Sequence, residues 1–473
     1  MLTAPALAQE DYDERRAEVD GNVVKKLVAF GRRATGLKQA EMARVAFQMV
    51  LDHYDSDQPT ARRGLGFRKV GDEWREGAVR LGETVADAKK AARARREWEK
   101  TRKLVSTFHG EFGMELIEAG QVARAHYQLE RALEFQPGVE EWHLALGHEQ
   151  IDGFFGTAEQ VAFIRRFREI QAKAHEFSER EYEVEAVPQS KMPKALQVSG
   201  LEFFGARSEH FTHWVVESQE HAFESLQWAE RAYAFRREVA GHATPRRPHR
   251  HQRYLAIVRT REQRETVLAK SPTTRGRYTF DQAKLFGSTP YKDGSGWAYL
   301  ARYPHSTSAD NVVGHVTKRH LVSRCNDGFG EGCVHAMTWL LVGTVESSYT
   351  DLQHTVTKDL EPLGRHPDDW RKRLQTEIDA DKDWPLAQIP RERIENFRDS
   401  ARIKSWSFVL FLMARYPDRW FELVAGIPEV QGLTVEKVKE CFDEKLGVRA
   451  GEVDAEWRDW ARRGSRIGRA TDW

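Results

Sequence analysis

The stretch Asn311-Val-Val-Gly-His-Val-Thr-Lys-Arg-His320, followed by Gly328-Phe-Gly-Glu-Gly-Cys-Val-His335, decides how this chain is read. On a regular helix, residues four apart share a face, and two histidines so spaced grip one metal ion while a neighbouring glutamate polarises a water. His315 stands first, but Val316 occupies the glutamate's place and Arg319 the second histidine's. His320 comes one residue too late, because five steps of about 100° carry it about 140° around the helix. A regular helix therefore cannot bring both histidines to one ion. The region 311–343 reads as two helices joined by a glycine loop, with Cys325 and Cys333 in that loop.

The composition fits a folded, water-facing protein. Of 473 residues, 31% are charged and 40% hydrophobic, a balance typical of globular chains with room for two or three domains. Lys and Arg number 73 against 72 Asp and Glu, so bulk charge gives no drive toward nucleic acid, and none is expected as a partner. The longest apolar run falls short of the roughly 18 residues that a membrane span needs. Three cysteines are too few for a disulfide framework. Cys325 and Cys333 are either a local disulfide or two free thiols, and Cys441 is expected to be buried in an amphipathic helix. Met1-Leu-Thr-Ala-Pro-Ala-Leu-Ala-Gln9 has the small-x-small pattern of the end of an export signal at Ala6-Leu7-Ala8. Residues 1–9 are read as that remnant, and the expected location is the periplasm or cell envelope, or the cytoplasm if the pattern is accidental.

Residues 10–185 contain an internal repeat. Leu27 to Phe30, a turn at Gly36, a helix through Ala43, Phe47, Val50 and Leu51, Pro59 and then Ala61 to Phe67 form one copy. Phe108 to Gly113, a turn at Gly120, a helix through Ala125, Leu129, Ala132 and Leu133, Pro137 and then Trp142 to Gly147 form the other. Leu51 and Leu133 are 82 residues apart. Apolar residues at i, i+3, i+4 and i+7 predict a helical hairpin and a third helix in each copy. The tails Gly71-Asp-Glu-Trp74 and Asp152-Gly-Phe-Phe155 predict short β-hairpins. Thr84 to Lys103, between the copies, reads as a long solvated helix. The copies resemble tetratricopeptide-type hairpins, which stack on a shared core and offer a concave face to a protein or peptide.

A linker is placed at Glu185-Ala-Val-Pro-Gln-Ser-Lys-Met-Pro193. Beyond it, His210 to Val216 alternates like a strand, 220–240 is a long helix, Tyr254 to Val258 a strand, and 260–269 a helix. Two or three short strands follow in 277–303. The last hundred residues read as helices at 404–413, 434–446 and 453–462, with Trp457 and Trp460 on one face.

This order over 195–463, with 464–473 as a tail, resembles the gluzincin-like, thermolysin-related peptidase domain often labelled peptidase MA-like. The resemblance implies a zincin-like domain with a small mixed sheet and a helical tail. The fold class is then mainly α, α+β overall, with tetratricopeptide-like repeats in front. It places His315 at the first metal ligand, Glu331 at the third, Arg319 at the second and Val316 at the general base, a degenerate version of the His-Glu-x-x-His motif. A guanidinium stays protonated and cannot ligate zinc, and an isopropyl group takes no proton. The reading that follows is a non-catalytic protein acting in binding or scaffolding, with no cofactor and with His315, Val316, Arg319 and Glu331 as the altered cleft. An Arg319–Glu331 ion pair is expected in place of the metal charge.

The alternative is a zinc metallopeptidase with an atypical site using His315, His320 and Glu331, with His335, Cys325 and Cys333 nearby and Glu346 or Asp327 as base. A third reading makes the repeat region the functional part. Other motifs carry less. His249 and His251 read as a loop, most tryptophans sit at core spacing, and neither a phosphate-cradling glycine loop nor a Gly-x-Ser-x-Gly elbow occurs.

Overall fold

The computed structural model describes residues 9–77, 82, 84–241, 254–260, 262–263, 266–267, 288–290, 296–300, 308–322, 325–345, 367–392, 397–427 and 433–464. They are mainly helical, with small sheets. The chain divides into two compact units, Met1–Val161 and Ala162–Trp473. Among the described residues no helix is long and apolar enough to cross a membrane.

In the first unit the order helix, helix, short helix, β-hairpin occurs twice. The first set is α1 (Gln9–Gly36), α2 (Ala40–His53), α3 (Pro59–Gly64), β1 (Phe67–Val70) and β2 (Glu73–Glu76). The second is α4 (Ala88–Glu118), α5 (Val122–Phe135), α6 (Glu140–Ala145), β3 (Glu149–Ile151) and β4 (Phe154–Gly156). The 82-residue offset holds at the level of contacts. A Cβ on Gly31 would lie 2.4 Å from the Phe47 ring, and a Cβ on Gly113 would lie 2.7 Å from Leu129 Cγ. Gly31 and Gly113, and Phe47 and Leu129, are equivalent positions. In both copies a glycine on the first helix leaves the space that a large apolar side chain of the second fills.

Two local expectations change. The first turn is made not by Gly36, the last residue of α1, but by Lys38 at φ 57°, the equivalent of Gly120 at φ 73°. A left-handed residue is what reverses the chain there, and lysine bears its modest cost. The 84–103 segment is not a separate helix between the copies. It runs on unbroken into α4, started by Asp87, whose side chain accepts from the Lys89 and Lys90 amides.

The second unit contains most of α7 (Ala158–Glu179) and a six-stranded sheet in the order β5-β6-β7-β8-β10-β9. Its strands are β5 (Glu185–Val187), β6 (Phe204–Arg207), β7 (Thr212–Val215), β8 (Tyr254–Val258), β9 (Ser288–Pro290) and β10 (Gly296–Leu300). β7, β8 and β10 run parallel, while the outer pairs β5–β6, β6–β7 and β10–β9 are antiparallel. The segment read as a linker thus supplies β5, an edge strand. α8 (Lys194–Gln197) precedes β6, and α9 (Gln219–Ala240) packs on β6 and β7. All five residues of β8 are buried, as a central strand covered on both faces requires.

α10 (Ser308–His320), α11 (Asp327–Val342), α12 (Pro367–Asp379), α13 (Asp399–Arg415), α14 (Trp420–Gly426), α15 (Val435–Leu446) and α16 (Ala450–Gly464) complete the unit. α10 packs on α9 and α11, and α11 packs on α13. α13 is buried at every position from Ala401 to Ala414, so it sits at the centre of the core rather than on its edge. Half of the helix expected at 260–269, and all of the His249 and His251 loop, fall outside the described residues.

Candidate functional site

The expected glycine loop is a helix. Gly328, Gly330 and Gly332 lie in α11, which begins with the Asn326 side chain accepting from the Phe329 amide at 2.9 Å and ends at Gly343 in the left-handed conformation. Glycine there serves proximity, not flexibility. A Cβ on Gly328 would stand 2.0 Å from the Ile389 carbonyl oxygen, and one on Gly332 2.2 Å from Ser405 Oγ and 2.6 Å from the Ser405 carbonyl oxygen. Ser405 Oγ donates to the Gly328 carbonyl at 2.8 Å. Small residues four apart let α11 come against α13, and every residue from Gly328 to Trp339 is buried as a result.

This close approach carries Glu331 into the interior, where it is 0% exposed. Burial raises its pKa, opposed by the charges of Lys318 and Arg402 and by a hydrogen bond from Lys318. Lys318 of α10 donates from Nζ to Glu331 Oε1 at 3.2 Å and stands 3.7 Å from Asp327 Oδ1. The expected partner was Arg319. One residue earlier on α10 means a rotation of about 100°, and it is Lys318 that takes this position. The Arg319 side chain lies outside the described residues. Glu331 Oε2 has no hydrogen-bond partner among the described residues.

Arg402 of α13 is 1% exposed, with Nε and Nη2 unpartnered among the described residues. Burial lowers its pKa, and Glu331 and Asp399 push it back up. His335 follows Glu331 by one helical turn. Its Nδ1 donates to the Val345 carbonyl at 2.8 Å, which leaves Nε2 as an acceptor, also unpartnered among the described residues. Burial takes its pKa to about 3, so the ring is neutral. Cys333 and Cys325 are free and buried; burial pushes the Cys325 thiol up to about 12 and Cys333 well above its usual value.

The two histidines of α10 part company as the helical count requires. The His320 ring packs 5.4 Å from Phe211 and 5.6 Å from Tyr233, and its carbonyl accepts from Arg236. His315 is half-buried, and Val316 is 1% exposed in the core. Glu346 falls outside the described residues.

One carboxylate oxygen is taken by an ammonium, His320 faces another layer, and the donors that share a helix face are Glu331 and His335, with two cations beside them. Among the described residues no three His, Cys, Asp or Glu side chains form a group that could hold a metal ion. What the arrangement does chemically is neutralise a buried carboxylate with cations fixed to the chain.

Two further polar centres were not anticipated. Lys404, fully buried on α13, donates to Asp383 at 2.7 Å and Asp454 at 2.6 Å, with Trp457 4.3 Å below its ammonium. In the first unit, His109 donates from Nδ1 to Gln128 at 2.7 Å and accepts from Tyr54 at 2.9 Å, while Arg131 donates to the same tyrosine oxygen at 3.0 Å. Burial lowers the His109 pKa to about 4 and raises that of Tyr54 to about 12. The signal for Arg402 and Lys404 is visible in retrospect as two cations inside the apolar run of α13. Compared with protein-family models, curated proteins and solved structures, the chain matches none.

Proposed function

We propose that the chain is a non-catalytic binding or scaffolding protein. Its first unit reads as tetratricopeptide-like hairpins offering a face to a protein or peptide. Its second unit reads as a gluzincin-like domain in which a fixed charge replaces the catalytic ion. The observation that carries this reading is the Lys318–Glu331 pair at 3.2 Å. A protonated lysine on the carboxylate in the third ligand's place supplies the positive charge and blocks the lone pair that a metal would use. Val316, buried at the general base's place, supports the same reading, because no side chain there can accept a proton from water.

The test is metal analysis of the purified chain combined with zinc titration and a peptide-hydrolysis assay. The expected result is substoichiometric zinc, no saturable zinc binding and no hydrolysis above background. One tightly held zinc per chain with zinc-dependent hydrolysis would overturn the proposal in favour of the peptidase reading through His315, His320 and Glu331.

A further inference from the structure

The first half of α4 carries eight basic residues, Lys89, Lys90, Arg93, Arg95, Arg96, Lys100, Arg102 and Lys103, against two acids, Glu97 and Glu99. Their placement is ordered. Lys89, Arg93, Arg96, Lys100 and Lys103 are all exposed. At about 100° per residue they fall within about 40° of one line along the helix, over a length of roughly 21 Å. The opposite side of the helix is its packed side: Ala94 and Val105 are fully buried, and Trp98 lies 4.8 Å from Phe30. The stripe therefore points directly away from the core that holds the helix. Lys100 has an acid within reach, Glu97 at 3.4 Å. No acid pairs with Lys89, Arg93, Arg96 or Lys103 among the described residues.

We propose that this stripe is a docking surface for a flat anionic layer, namely the headgroups of a bilayer containing acidic lipid. Three features select that occupant. A cylinder resting on a plane touches it along one line, which is how these cations are arrayed. A duplex groove wraps a helix and places phosphates on both flanks, where Glu97 and Glu99 stand about 80° to either side of the line and repel them. A single-stranded nucleic acid is gripped by aromatic faces between the cations, and Trp98 is turned inward against Phe30. Within the stripe's arc every charged residue is basic. Association is electrostatic and peripheral, of the kind in which each cation near the surface contributes about fivefold in affinity and added salt removes it.

The test uses the full chain in vesicle co-sedimentation, with phosphatidylcholine alone and with phosphatidylcholine containing phosphatidylserine. Binding is expected only to the acidic vesicles, and it should fall steeply with salt. Arg93→Glu/Arg96→Glu should weaken it on the order of a hundredfold or more, since each reversal removes one attraction and adds one repulsion. Lys25→Glu/Arg95→Glu, equal in net charge but off the line, should weaken it far less. Both residues of each pair are exposed, so circular dichroism should show unchanged folding. Equal binding to neutral vesicles, equal effects of the two double variants, or tighter binding of an oligonucleotide or of polyglutamate than of acidic vesicles at the same ionic strength would each overturn the assignment.

Discussion

Replacing Gly332 by alanine probes the helix crossing on which the second unit is built. The new methyl would fall 2.2 Å from Ser405 Oγ and 2.6 Å from the Ser405 carbonyl oxygen. The hydroxyl can rotate away, but then the bond it gives the buried Gly328 carbonyl is lost, at about 1 kcal/mol. The carbonyl belongs to the backbone of α13 and cannot rotate, so the two helices must separate, and overpacking of this kind costs about 1–3 kcal/mol. Against this, alanine gains about 1 kcal/mol over glycine in a helix interior. The expected net is a loss of about 1–3 kcal/mol. For a unit of this size, that lowers the midpoint of thermal unfolding by several degrees, at about 2–4 °C per kcal/mol.

Gly330 provides the control. It sits on the same helix, and the nearest atom to its added Cβ is the mobile tip of Lys318 at 3.4 Å. Gly330→Ala therefore keeps the propensity gain with little steric cost and is expected to be neutral or stabilising by up to about 1 kcal/mol. Differential scanning calorimetry of the two variants beside the parent reads the difference directly. A Gly332→Ala protein as stable as Gly330→Ala would refute the close approach of α11 and α13.

Lys318→Met leaves Glu331 buried without its hydrogen-bonded cation and should cost about 3–5 kcal/mol in urea unfolding, most of it recovered in Lys318→Met/Glu331→Met; no recovery would mean the pair is not coupled. His213, His335 and His109 are held neutral by burial, with pKa values of about 3, about 3 and about 4. The unfolded chain takes up these protons near pH 6.5 and the folded chain does not, so stability is full above that pH and falls as pH drops, by about 2 kcal/mol per histidine at pH 5. A denaturant midpoint unchanged between pH 7 and pH 5 would contradict that. A thiol reagent should modify the half-exposed Cys441 in the native protein, and the buried Cys325 and Cys333 only on unfolding. Phe47→Ala empties the space beneath Gly31 and Gly64 and should cost about 3–5 kcal/mol in the first unit, measured by chemical denaturation.

Elements written in local pattern were legible from the sequence. The 3.6-residue periodicity placed α9, α15 and α16, the apolar run at 404–413 located α13, the alternation at His210 to Val216 located β7, and the 82-residue spacing located both helical hairpins with their β-hairpin tails. What local pattern missed depends on partners far along the chain. Gly328 and Gly332 look like loop residues until Ile389 and Ser405 are brought against them, because the same missing side chain serves a turn and a tight crossing equally well. The Arg319–Glu331 pair was expected from the motif resemblance, whereas the cation hydrogen-bonded to Glu331 is Lys318, about 100° away on the same helix, a choice that only the packing of the two helices decides. The separation of His315 from His320 was legible, because it follows from helical geometry alone.

A positive charge borrowed from solution arrives late, competes with other ions and leaves again at some rate. The ammonium beside Glu331 comes with translation itself and is present at the first moment the helices meet. Chelators and metal starvation have no hold on it. Adapting this interior to capture an ion would be a two-step matter, since deleting the lysine first strands a carboxylate in a dry core, whereas supplying a new imidazole first leaves it facing a cation.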